Sequence, residues 1–251
     1  MELDGKTIIV TGASSGIGAA AALLFASEGA NVVLGARRKE ELDRLVGQIV
    51  QSNGKAACLP GDVTDETYAG SLMDFAQDRF GTVEGAFNNA GVMGDMGPVS
   101  QMDRANWDTV IAANLTSAFY AAKAQIPFFA EKRSGAIVFT SSFVGYSNGG
   151  MPGMAAYAAS KAGMIGLVQA LAAEHASDGV RINAILPGGT KTPMAGEDPN
   201  THDFVANLHP IKRLADPREI AQSALYLLSD RASFVTGAPM IVDGGMSVRL
   251  L

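Results

Sequence analysis

Two kinds of segment alternate along the chain when its apolar and polar positions are traced. Short apolar, often β-branched runs predict strands at residues 6–10, 31–34, 55–59, 83–87, 135–140, 180–186 and 239–242. Longer segments with helical spacing lie between them, at residues 19–26, 39–51, 65–80, 103–129, 155–176 and 219–228. Thr64 is positioned to cap the helix at 65–80, and Pro127 is expected to disturb the last turn of the long helix at 103–129. Regular β-α alternation implies parallel strands joined by right-handed crossovers, with helices on both faces of the sheet. The expected fold is α/β, a doubly wound parallel β-sheet, and residues 1–251 read as a single domain without linkers, repeats or low-complexity stretches. In open sheets of this kind ligands bind beyond the carboxyl ends of the strands, so the loops after the strands are the places to search.

Composition supports that picture and removes some functions. Hydrophobic residues make up 47% of the chain and charged residues 18%, which is ample material for one core. A net charge of −6 argues against nucleic acid as a partner. Residues 1–6 lack a basic stretch and an apolar core, so they do not read as a secretory signal. The longest apolar runs, such as 19–26, fall short of the ~18 residues that span a bilayer. The single cysteine, Cys58, cannot form an intrachain disulfide and reads as a buried structural thiol, which fits a reducing compartment; a soluble cytoplasmic protein is expected. His175, His202 and His209 share no metal-ligand spacing, and no metal site is assigned.

The first strand feeds a turn in which Gly12, Gly16 and Gly18 are separated by Ala13, Ser14, Ser15 and Ile17, and the turn opens onto an alanine- and leucine-rich helix. Glycines there let the backbone turn sharply and approach a ligand, while the helix start presents unpaired N–H groups and partial positive charge. A pyrophosphate fits such a site, although a tight turn with no ligand has the same pattern. Tyr157 and Lys161, four residues apart, share one face of a helix whose other residues are mostly Ala and Gly. A nearby ammonium favours the phenolate and makes tyrosine a usable acid/base; an amphipathic surface pair is the plain alternative. Ser141 and Ser142 follow the fifth strand, where a hydroxyl could bond a carbonyl oxygen or simply complete a turn. Asn114 is an amide inside an apolar helical stretch and needs polar partners.

Taken in order, Thr11 to Gly18, Asn88-Asn89-Ala90-Gly91, the Asn114 helix, Ser142 with Tyr157 and Lys161, and Pro187-Gly188 before Thr192 resemble the short-chain dehydrogenase/reductase family. Val235-Thr236-Gly237 and Val242-Asp243-Gly244-Gly245 resemble its C-terminal signature, so the likeness runs over nearly the whole chain. The resemblance implies a Rossmann-like fold and an NAD(P)(H)-dependent oxidoreductase that interconverts a small-molecule carbonyl and a secondary alcohol. By that resemblance Tyr157 is the general acid/base, Ser142 polarises the substrate oxygen, Lys161 lowers the tyrosine pKa and binds the nicotinamide ribose, and Asn114 holds a relay water. It places Asn89, Ala90 and Gly91 on the adenosine side of the cofactor, Asp62 and Val63 at the adenine, and Pro187, Gly188, Thr190 and Thr192 at the nicotinamide end.

Ala36 stands where NAD-specific relatives carry an acid, and Arg37 and Arg38 follow it, so NADP(H) is favoured and NAD(H) remains possible. Helices 103–129 and 155–176, apolar on more than one face, predict burial on more than one face, and the family pairs these helices between subunits; a homotetramer is expected. Residues 194–214, with little helix signal, read as a substrate lid. Thr190 replaces the usual β-branched aliphatic residue, and the loop from 142 to 157 runs about two residues longer than in typical members, through residues 148–153. Other classes on this scaffold are a non-catalytic nucleotide-sensing protein and an isomerase or lyase.

Overall fold

The apolar runs are the strands β1 (Thr7–Thr11), β2 (Asn31–Ala36), β3 (Lys55–Pro60), β4 (Gly85–Asn88), β5 (Gly135–Thr140), β6 (Val180–Pro187) and β7 (Pro239–Val242), in a computed structural model that describes residues 1–147 and 151–248. They form one sheet in the order β3-β2-β1-β4-β5-β6-β7, and every neighbouring pair is parallel. All five residues of β1 are buried, as a central strand covered on both faces must be. Its side chains alternate between two cores. Ile8 and Val10 join the face covered by α1 (Gly16–Ser27), α2 (Lys39–Gln51) and α8 (Pro217–Leu228), while Ile9 points to the opposite face. There α3 (Tyr68–Phe80), α5 (Ser117–Lys132) and α6 (Ala155–His175) pack through residues such as Leu72, Ile126, Phe129 and Met164.

Chain order reverses direction across the sheet at β1 and β4, which pair through Ile8–Gly85, Ile9–Ala86 and Val10–Phe87. The loops leaving these two strands therefore diverge and open a crevice at their carboxyl ends. That crevice is the site described below.

Several local expectations are corrected. The helix expected at 103–129 is α4 (Arg104–Ile111), a π-helical turn at Ala112–Thr116, and α5. Asp103 caps α4 by accepting from the Ala105 N–H. Pro127 does not end the helix, which runs on to Lys132 and stops at Arg133 in the left-handed region (φ 50°). The proline lies on the exposed face, where the carbonyl it leaves unpaired meets water. Thr64 caps nothing: both its N–H and its hydroxyl donate to the Asp62 carboxylate (3.0 and 2.9 Å), and α3 starts only at Tyr68. Residues 194–214 contain a clear helix, α7 (Pro199–Leu208), capped by the Asp198 carboxylate with Pro199 in its first turn. Residues 148–150 of the long loop lie outside the described residues. Cys58 is only partly buried; its thiol donates to Asp43 (3.4 Å), and burial together with that carboxylate raises its pKa.

Candidate active site

One cavity of about 950 Å³ runs along the carboxyl ends of the strands. Of the site residues expected from sequence, all but Gly18 and Asn114 line it. At one end lie Gly12, Ser14, Ser15, Gly16, Ile17, Arg37, Arg38, Asp62 and Val63; at its middle Asn89, Ala90 and Gly91; beyond them Ser142, Tyr157, Lys161, Pro187, Gly188, Thr190 and Thr192.

The glycine turn is pressed against the loop that follows β4. A Cβ at Gly18 would stand 2.3 Å from the Gly12 carbonyl oxygen and 2.8 Å from the Asn89 amide nitrogen, so only glycine closes this turn. Asn89 ties three strands together. Its side chain donates to the Thr11 carbonyl (3.4 Å) and accepts from the Thr140 hydroxyl (3.1 Å), while the Thr11 hydroxyl accepts from the backbone N–H groups of Asn89 and Ala90. The Asn89 amide is thus engaged in holding these strand ends together. Arg38 folds over the glycine turn, donating to the Ser14 hydroxyl (2.9 Å) and carbonyl (3.1 Å). Arg37 reaches Asp62 at 3.8 Å, mostly in solvent. Hydrogen bonds from Thr64, with Arg37 adding to them, hold the Asp62 carboxyl below its ordinary pKa.

The chemical end is built by β5, its following loop and α6. Lys161 is buried and donates from Nζ to the Thr140 carbonyl (2.7 Å), with Nζ 5.5 Å from the Tyr157 ring centre. Burial away from water pushes its pKa down to about 7. Tyr157 is half-buried at the cavity wall; burial raises its phenol above the ordinary value, and the adjacent Ser142 hydroxyl acts in the opposite direction. The Ser142 oxygen accepts from the Val144 N–H (3.2 Å), which leaves its own proton to donate. Ser141, by contrast, is committed to the Lys161 carbonyl (2.8 Å) and fixes α6 to the end of β5.

Asn114 sits in the π-helical turn, fully buried behind this wall. Its side chain closes a pair of bonds with Val92 (2.8 and 2.9 Å) and donates to the Ser160 hydroxyl (3.0 Å). Both amide N–H groups are thus bonded to protein, while Oδ1 accepts from the Val92 N–H and keeps one further lone pair. Gly91 lies between Asn114 and Lys161: a Cβ there would stand 2.9 Å from Asn114 Oδ1 and 3.3 Å from Lys161 Nζ. The Thr190 hydroxyl donates back to the Gly188 carbonyl (3.0 Å), so its proton is committed within the loop.

Two features escaped the sequence. His209 is 2% exposed, donates from Nδ1 to the Val205 carbonyl (2.7 Å) and accepts at Nε2 from the Gly189 N–H (3.0 Å). It thereby fastens the loop after β6 to the end of α7 in the neutral tautomer that these two partners require. The other is an apolar wall of methionines from four different loops, together with Phe143, Val144, Phe204 and Val205. The available signal was their position just beyond strand ends. Among the described residues no group of three His, Cys, Asp or Glu side chains is placed to hold a metal, and no helix is long and apolar enough to cross a membrane.

The sequence profile described as enoyl-(acyl carrier protein) reductase matches residues 12–247. The chain is 38% identical to cyclohexanol dehydrogenase of Acinetobacter sp. (strain SE19), over 97% of this chain and 95% of that one. It is 39% identical to a 3-oxoacyl-(acyl-carrier-protein) reductase of Thermotoga maritima, over 99% of this chain and all of that one. Among solved structures, levodione reductase superposes with a TM-score of 0.94 at 31% identity, over 99% of this chain and 100% of that one.

Proposed function

This chain belongs to the short-chain dehydrogenase/reductase family, and from that premise we propose how its residues carry out NAD(P)-dependent interconversion of a carbonyl and an alcohol. The observation that carries the assignment is convergence: Ser142, Tyr157 and Lys161 share one cavity with the glycine turn at the N-terminus of α1. The fit to a dinucleotide is physical. The turn offers a close backbone approach and the positive end of a helix, which suits a pyrophosphate. Asp62 and Val63 would hold the adenine, Asn89 to Gly91 would flank the adenosine, and Pro187, Gly188, Thr190 and Thr192 would close the nicotinamide end. The nicotinamide supplies or accepts the hydride when bound.

The chain's own groups handle orientation and the proton. In reduction the Ser142 hydroxyl donates a hydrogen bond to the substrate oxygen, and Tyr157 Oη delivers the proton as negative charge develops there. The Lys161 ammonium favours the phenolate left behind and turns its remaining donors toward the cofactor ribose. Asn114 positions the Gly91–Val92 backbone against Lys161.

NADP(H) is the favoured cofactor. The end of β2 is Ala36, which offers no carboxylate to a ribose 2′-hydroxyl, and Arg37 and Arg38 stand beside it. The planar guanidinium of either can pair a 2′-phosphate through more than one bond, and Arg38 is already held over Ser14. The substrate lid is α7 with its flanking loops, which reach over the cavity through Thr201, His202, Phe204 and Val205. A reducing, cytoplasmic setting fits the lone Cys58.

Oxidation of NADPH and NADH, followed by absorbance across a panel of ketones, tests the reading. Turnover with higher kcat/KM for NADPH is expected. Equal values, or a preference for NADH, would overturn the role of the arginines. Cofactor binding without turnover of any carbonyl would point to a sensing protein, and substrate conversion without net cofactor consumption to an isomerase or lyase.

A further inference from the structure

Six of the eleven methionines line this one cavity. Met93 and Met96 come from the loop after β4, Met151 and Met154 from the approach to α6, Met194 from the loop after β6, and Met246 from the segment after β7. Met154 and Met246 are buried (8% and 1% exposed) and form a small separate core with Phe143 and Val144, against which Met93, Met151 and Tyr157 pack. Met96 and Met194 stand at the rim, about half exposed.

Charge is distributed in the opposite way. Of the charged side chains lining the cavity, Arg37, Arg38 and Asp62 belong to the glycine-turn end, where they contact Ser14 and one another. Around Tyr157 the only cation among the described residues is Lys161, already bonded to the Thr140 carbonyl. His202 is paired with the Gly196 carbonyl (2.9 Å). A carboxylate brought into this end would lose water and find no dedicated partner among the described residues, which is costly. Methionine also sets the shape rule: an unbranched, polarisable side chain with three rotatable bonds repacks around differing outlines more easily than a branched or aromatic wall.

Building on the reading proposed above, we infer that the substrate is an uncharged, predominantly apolar ketone or secondary alcohol, accepted with wide tolerance of shape and strict exclusion of acids. Selectivity lies in charge, and the methionine wall enforces it.

The test compares matched pairs, cyclohexanone with 4-oxocyclohexanecarboxylate and 2-octanone with 7-oxooctanoate. Each is measured by steady-state turnover and by calorimetric binding to the cofactor-saturated protein. The neutral member of each pair is expected to exceed its acid by at least about a hundredfold in kcat/KM, since an unpaired buried charge costs several kcal/mol. Across cyclic ketones from five to eight ring atoms, each methylene is expected to change kcat/KM by less than about tenfold, the low end of what rigid apolar pockets impose. Met96→Arg, at the exposed rim, should raise turnover of the acids while lowering that of the neutral ketones, with folding checked by melting temperature. Equal binding or turnover of acid and neutral partners would overturn the inference, as would no measurable binding of any neutral ketone at millimolar concentration. Selective binding of neutral ketones without hydride transfer would sink the proposed activity and leave the inference standing.

Discussion

Lys161 carries the main electrostatic cost of the site. In the folded protein its pKa falls to about 7 from 10.5, because burial penalises the ammonium. Between those values the unfolded chain binds more protons than the folded one, so stability rises with pH through that window and the penalty is fully present below it. Thermal unfolding of the cofactor-free protein between pH 7 and pH 9.5 should show this rise, and Lys161→Met should flatten it while abolishing turnover. Equal slopes for the two proteins would refute the account. Tyr157→Phe removes the proton donor and little else: kcat is expected to fall by about 10²–10⁴-fold with cofactor affinity nearly unchanged, and retention of more than about a tenth of turnover would remove Tyr157 from its role. The pairing of Tyr157 with Lys161 was legible because helical spacing alone puts positions four apart on one face. His209 was not legible. Its value depends on Gly189 and Val205 arriving on either side of one ring, which no local pattern announces. Asn114 was half legible: a buried amide must have partners, but their identity as Val92 and Ser160 is a tertiary fact.

At the scale of elements, the strands were read from sequence because a parallel sheet covered on both faces demands unbroken apolar runs. Helix interruptions were harder. A π turn adds one residue without disturbing the apolar pattern, so Ala112–Thr116 looked like the middle of a single long helix. The helix α7 was missed for a different reason. It fully buries no residue and its large apolar side chains are only Phe204, Val205 and Leu208, so only Asp198 followed by Pro199 marks its start. That cap is also its weak point. Asp198 accepts from the N–H groups of Asn200 and Thr201 and from the Thr201 hydroxyl. Asp198→Ala removes about 1 kcal/mol of helix stability. Only the partly buried Leu208 ties α7 to a core, so the loss stays local: the melting temperature should hold, substrate KM should rise about fivefold, and kcat should change less. A drop in melting temperature with unchanged KM would show that α7 is structural and not a lid.

For the molecule as a whole, α6 exposes Ala155, Ala159, Ala162, Gly163, Gly166, Ala170 and Ala173, and Phe119 on α5 is 49% exposed. Small residues allow close helix approach, and a large aromatic left in water favours a partner. Light scattering at micromolar concentration is expected to give the mass of a tetramer, and a monomer would sink that expectation. The switch in strand order at β1 and β4 has a mechanical consequence. In the sheet, one short ladder of three residue pairs joins the half that carries the glycine turn to the half that carries Tyr157 and Lys161. A dinucleotide bound as proposed, across that seam, would act as a staple, since its contacts need both halves docked. At a hundredfold excess over its Kd such a ligand stabilises by about 2.7 kcal/mol, worth roughly 5–10 °C in a chain of this length. Melting curves alone then rank the cofactors before any substrate is known: NADP⁺ should raise the midpoint more than the same concentration of NAD⁺, and Ala36→Asp with Arg37→Ile should invert that order.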